Sequence, residues 1–128
     1  MKLAAWLLAA TFLGACSGAC ENTVLTRADA PDGRHSAVVF RRDCGATTGF
    51  STQVSVLTPG GRPSGAGNVF VADDDHGAAT TGPGGAPWVE AVWQDGNRLL
   101  IRYDAKARIF QHRAEASGVR IRYEAVRR

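Results

Sequence analysis

Residues 88–103 read WVEAVWQDGNRLLIRY, two alternating apolar runs placed on either side of Asp95-Gly96. Successive side chains of a strand point to opposite faces. Val89, Ala91 and Trp93 therefore share one face of the first run, and Leu99, Ile101 and Tyr103 share one face of the second. Asp-Gly is a favoured pair for a tight hairpin turn, so the segment reads as two antiparallel strands with one dry and one wet face. Trp88 and Trp93, five apart, fall on opposite faces. One belongs in a core, and Trp88 is a candidate aromatic anchor for a partner.

The same period-2 alternation recurs outward from this hairpin. Residues 108–113 and 119–125 read as a second hairpin around Ser117-Gly118, with Val119, Ile121 and Tyr123 on one face and Arg120, Arg122 and Glu124 on the other. Upstream, residues 36–42 (SAVVFRR) follow the turn Pro31-Asp32-Gly33, in which Pro presets φ and Gly accepts a positive one. Residues 50–57 alternate, with Val54 and Val56 opposite Gln53 and Ser55, and residues 68–72 form a short strand. Stretches 58–67 and 77–87, rich in Gly and Pro, read as surface loops. PDGRHSAVVF and QDGNRLLIRY look like the corner of a β-propeller blade, but two copies are too few for a fold that takes roughly four or more blades. No amphipathic helix is evident after residue 20. The expectation is an all-β, antiparallel domain over residues 24–128: a small meander or sandwich, or a partly open barrel.

The first fifteen residues belong to another class of segment. Lys2 precedes an apolar run from Leu3 to Leu13, and small residues lead to Cys16; this is the layout of a secretory signal. The run is well short of the roughly 20 residues that span a bilayer as a helix. Leu13, Gly14, Ala15 and Cys16 resemble the lipobox of bacterial lipoproteins. That resemblance implies cleavage after Ala15, diacylglycerol on the Cys16 thiol, acylation of the new amino terminus, and a short tether over residues 16–23. Ser17 resembles the sorting residue for the outer membrane, so the implied location is the periplasmic face of that membrane. Cleavage after Ala19 is the alternative and would release a soluble periplasmic protein.

Acylation of Cys16 leaves Cys20 and Cys44, an even pair in an oxidising compartment, and the two are expected to form a disulfide. Cleavage after Ala19 leaves the same pair. Neither thiol has a CxxC partner or a histidine nearby in sequence. Removing the leader leaves 113 residues, enough for a real core, with 14 basic against 12 acidic side chains. The arginines are scattered and the densest stretch is the end of the chain, residues 113–128. This reads as a solvated face and a basic tail, with no call for nucleic acid.

RDCGATTGFSTQ (42–53), with NVFVAD and LLIRYD downstream, resembles a family of small uncharacterised bacterial lipoproteins and exported proteins. The resemblance runs from about Cys20 to Tyr123. It implies an all-β fold and the Cys20–Cys44 pairing, and carries no activity.

Two local clusters are candidate sites. Asp73, Asp74, Asp75 and His76 leave a strand and enter a glycine-rich loop, and carboxylates with an imidazole can take a divalent cation. The spacing departs from the calcium-loop template, where Gly77 and Gly84 stand at ligand positions, so a solvated acidic turn is the expectation and no metal is assigned. The stretch from Asp43 to Ser51 is the second, with Thr47, Thr48, Ser51 and Thr52 clustered around Gly45 and Gly49 in a loop whose backbone N–H groups suit a small anion or a peptide edge. No GxSxG, SxxK or HExxH occurs. His35, His76 and His112 are dispersed. The expected function is therefore a monomeric, lipid-anchored binding or accessory module without catalytic residues or cofactor, reaching membrane lipid through Cys16 and meeting an envelope protein partner. Alternatives are an inhibitor or sensor of an envelope hydrolase, on architecture alone, and a metal-dependent enzyme using the 73–76 loop.

Overall fold

The computed structural model describes residues 19–45 and 49–128. Cys16, Thr47 and Thr48 lie outside them. The described residues form nine strands: β1 (Glu21–Asp29), β2 (Ser36–Asp43), β3 (Ser51–Leu57), β4 (Phe70–Asp73), β5 (Val89–Asp95), β6 (Arg98–Asp104), β7 (Arg108–His112), β8 (Glu115–Ala116) and β9 (Val119–Val126). They make two sheets, β1-β2-β3-β4-β7 and β5-β6-β9-β8. No α-helix occurs among the described residues, where the one helical element is a 3-10 turn, Pro83–Gly85. The all-β expectation holds, in its sandwich form; the sheets do not close into a barrel.

The core lies between the two sheets. Ala37, Val39, Val54, Val56, Phe70 and Ala72 come from the first sheet, and Leu99, Ile101, Val119 and Ile121 from the second. Val89, Ala91, Trp93, Tyr103 and Tyr123 pack against them, so the faces read from alternation in β5, β6 and β9 are the ones that face inward. Val89 stands opposite Tyr103, Ala91 opposite Ile101 and Trp93 opposite Leu99, so the faces read from the two runs lie side by side in one hairpin. Its turn sits one residue later than the sequence suggests. Asp95 closes the strand, its carboxylate accepting from Asn97 N and Arg98 Nε, and Gly96-Asn97 make the turn. The Asp32 side chain closes over Gly96, and a Cβ there would have to push that exposed carboxylate aside.

Three expectations are corrected. Residues 108–113 do not pair with 119–125. β7 pairs instead with β4, placing Asp73 opposite Arg108, while β9 takes the two-residue β8 as its hairpin partner across Ser117 and Gly118, both at positive φ. The second sheet is not wholly antiparallel, because β6 and β9 run parallel from Arg98↔Arg120 to Asp104↔Val126. The chain dips into the first sheet as β7 between them, which supplies the crossover a parallel pair needs. Lastly, β1 begins at Glu21, so the end of the segment read as a tether is strand, paired to β2 down to Asp29↔Ser36.

Stretch 58–67 is strapped across the outer face of the first sheet. Asn22 Nδ2 donates to Pro63 O and Gly65 O, and Arg27 Nη2 to Gly61 O, all from β1, while Gln53 Oε1 on β3 accepts from Gly67 N. β2 lies between those anchors. Its outward residues Val38 and Phe40 are fully buried beneath the strap.

Candidate functional site

Cys20 and Cys44 are bonded one step beyond the last rung of the β1–β2 ladder, Glu21↔Asp43. The strand ends gathered around this disulfide frame a cleft of about 580 Å³, open to solvent, on the outer face of the first sheet. Its floor follows from strand register. Asn22 is opposite Arg42, Arg42 opposite Ser51, Ser51 opposite Asp73, and Asp73 opposite Arg108. Directly opposed residues share a face. One polar row therefore crosses all five strands, with an arginine on either side of a hydroxyl and a carboxylate.

Hydrogen bonds fix the row. Arg42 Nη1 donates to Asn22 Oδ1 at 2.8 Å, and Gln53 Nε2 donates to Ser51 Oγ at 2.9 Å. Arg108 grips Asp73 with Nε and Nη2, the paired geometry that guanidinium offers a carboxylate. Burial opposes ionisation of Asp73, but the Arg108 hydrogen bond, the Asp75 N–H and the charges of Arg108 and His76 together hold its carboxyl below the ordinary value. Donating to the Asp73 carboxylate in turn raises Arg108 above its ordinary value.

The walls come from the Cys44 and Gly49 side, from Asp74, His76 and Gly77, and from Phe110, whose ring is 61% exposed with the Arg108 guanidinium 5.0 Å from its centre. Asp73 Oδ1 accepts from Asp75 N, and Asp75 and His76 both adopt positive φ, so the acidic stretch turns sharply out of β4. A non-glycine pair in that region is uncommon and is held by its surroundings.

The sequence candidates thus separate. Asp73 and His76 line the cleft, joined by Asp74. Asp75 supports the turn and lies outside the lining, as does Asp43, whose Oδ1 accepts from Gly45 N. Among the described residues no three His, Cys, Asp or Glu side chains stand close enough to hold a metal ion, and the Asp73 carboxylate is already gripped by Arg108. The metal-dependent reading of Asp73, Asp75 and His76 has no geometric support. Trp88 is away from the cleft, beneath Arg128 and Arg102, while Trp93 packs on the core and donates from Nε1 to Ala28 O at 2.7 Å. Sequence reasoning missed Arg42, Arg108 and Phe110, and placed Ser51 in the 43–51 cluster without linking it to Asp73. Only strand register assembles them.

No protein-family model matches the chain, and neither a curated protein nor a solved structure does.

Proposed function

We propose that the chain is a lipid-anchored protein of the bacterial cell envelope whose β-sandwich is a binding or accessory module, with its ligand or partner taken up in the disulfide-end cleft. The cross-strand row Asn22–Arg42–Ser51–Asp73–Arg108, with exposed Phe110 at its rim, carries the reading. Donors and acceptors set on strands are held in place before binding, which lowers the ordering cost of recognition. Phe110 adds an apolar contact of the kind that dominates binding surfaces. Binding is favoured over nucleophilic catalysis by the partners of Ser51. Its Oγ accepts from Gln53 Nε2 and leans on Arg42 O at 3.5 Å, and no histidine is bonded to it.

The anchor reading rests on the lipobox-like Leu13-Gly14-Ala15-Cys16 and Ser17, with acylated Cys16 holding the mature chain at the periplasmic face of the outer membrane. A second reading, inhibitor or sensor of an envelope hydrolase, draws on the exposed Asp75-His76 turn that stands out beside the same cleft.

A photo-crosslinking residue at Phe110, compared in intact cells with one at Val92 on the other sheet, tests the binding role. Expected is a discrete adduct from Phe110 that Val92 does not give and that Arg42→Ala reduces. Identical patterns at both positions would end the cleft reading, and a hydrolase in the adduct would select the inhibitor alternative.

A further inference from the structure

Three aromatic rings, at Phe50 just before β3, Phe110 on β7 and Trp88 just before β5, lie beneath arginine guanidiniums: Phe50 under Arg41 at 4.5 Å, Phe110 under Arg108 at 5.0 Å, and Trp88 under Arg128 at 4.1 Å with Arg102 at 5.8 Å. All three stand at the disulfide end of the sandwich. Phe50 and Arg108 are fixed there by the Arg42↔Ser51 and Asp73↔Arg108 rungs. β5 also starts at this end, since Pro87 O accepts from Thr52 Oγ1, and by Trp93 it has reached Ala28 at the other end.

The three stacks differ in what their guanidinium donors do. Arg41 Nη1 donates to Gly84 O, and Arg108 is committed to Asp73. Arg102 is shared between Glu90 and Glu124 at 3.5 Å each. Arg128 makes no hydrogen bond or ion pair among the described residues. A guanidinium stacked by its face keeps its in-plane N–H donors free, and their fork matches a phosphate. Ala105 N donates to Val126 O, which brings the turn carrying Lys106 against the end of β9, beside Arg127 and Arg128.

We infer that Trp88 and Arg128, with Arg127 and Lys106, form a contact surface for the phosphate groups of anionic phospholipids, so that the domain stands on the membrane on its disulfide end. This rests on the lipid-anchored reading. Residues 17–19 alone separate Cys16 from Cys20, and a fully extended link of that length reaches at most about 14 Å. An acylated Cys16 would keep this end, and not the Trp93 end, at the headgroups. An indole with one polar edge suits that depth.

The two mature-chain tryptophans supply the test, because Trp6 lies in the leader. Full-length protein is expressed, processed and reconstituted in vesicles of phosphatidylethanolamine and phosphatidylglycerol carrying a headgroup spin label. The Trp93→Phe variant reports Trp88, the Trp88→Phe variant reports Trp93, and circular dichroism confirms that each is folded. Expected is strong quenching of Trp88, little of Trp93, and weaker quenching of Trp88 when phosphatidylcholine replaces both lipids or when Arg127→Ala/Arg128→Ala is introduced. Equal quenching of the two tryptophans, or quenching indifferent to lipid charge and to those arginines, would overturn the inference. Intact mass reports acylation separately. If the mature chain carries no lipid, the anchor reading fails, and cosedimentation of that chain with the anionic vesicles still decides the surface. Binding weakened about fivefold by Arg128→Ala, the effect of one basic side chain near an anionic surface, supports it. Absence of binding overturns it.

Discussion

Removing the disulfide with Cys20→Ser/Cys44→Ser gives the most quantitative prediction. The two cysteines are 24 apart in sequence, so the bond closes a loop of about 25 residues. Chain entropy alone then assigns it about 3.5 kcal/mol. The structure explains why little else compensates. β1 is a terminal strand paired only with β2, its residues are largely exposed, and its first rung sets Glu21 opposite Asp43, a like-charge pair that weakens the ladder. With urea slopes of roughly 1–3 kcal/mol/M for small domains, the unfolding midpoint should fall by about 1–3 M. Reduced wild type should follow the double variant. Hydrogen exchange should also show the amides of Asn22 and Val24 opening before those of β3. A midpoint within about 0.3 M of wild type, with β1 amides still protected, would refute the claim that the bond constrains this edge.

Several other outcomes follow from particular contacts. Leu99→Ala empties a fully buried position between the sheets and should cost about 2–5 kcal/mol in urea unfolding; a loss under 1 kcal/mol would place the core elsewhere. Tyr123→Phe removes a hydroxyl that donates to Arg113 O at 2.6 Å and, on its way out of the core, tethers the 113–114 segment. About 1 kcal/mol and a few degrees of melting temperature should go with it. Acid should weaken the fold through its aspartates. The Lys106 and Thr80 N–H groups hold the buried Asp104 carboxyl below its ordinary 3.8, and Asp73 is likewise lowered. A lowered folded value contributes stability that is full above 3.8 and lost as pH falls through the folded value, so urea midpoints should drop as the pH is taken below about 4. Asp104→Asn should flatten that drop, and an unchanged pH slope would contradict the assignment. Phe110→Ser should leave stability within about 0.5 kcal/mol in urea unfolding, since the residue is mostly exposed; a loss above about 1 kcal/mol would make Phe110 part of the packing and not of a binding rim.

The elements legible in sequence are those whose alternation is paired locally. In residues 88–103 the apolar positions and the turn chemistry agree, and Val89, Trp93, Leu99 and Ile101 pack as read. Val119, Ile121 and Tyr123 were legible for the same reason, but their partners were not. Nothing local tells β9 to lie parallel beside β6, or β7 to leave Ser117-Gly118 and join β4, because those rungs link residues 22 to 42 apart in sequence. β1 escaped notice because it lacks an apolar stripe: on an edge, Val24 is 44% exposed. The site divides along the same line. Asp73, Asp74 and His76 are adjacent in sequence and showed as a cluster, whereas Arg42, Ser51 and Arg108 meet Asp73 only through three successive strand registers. The tryptophan pair was read correctly to the extent that parity allows, with Trp93 on the core and Trp88 off it.

Anchoring decides where the cleft and the Trp88 end would work, and one measurement addresses it most directly: the intact mass and amino terminus of the protein extracted from membranes. Expected is a chain beginning at Cys16, heavier by diacylglycerol and an N-acyl chain, that moves to the soluble fraction or stays unprocessed with Cys16→Ala. An unmodified chain beginning at Cys20, recovered from the periplasm, would contradict it.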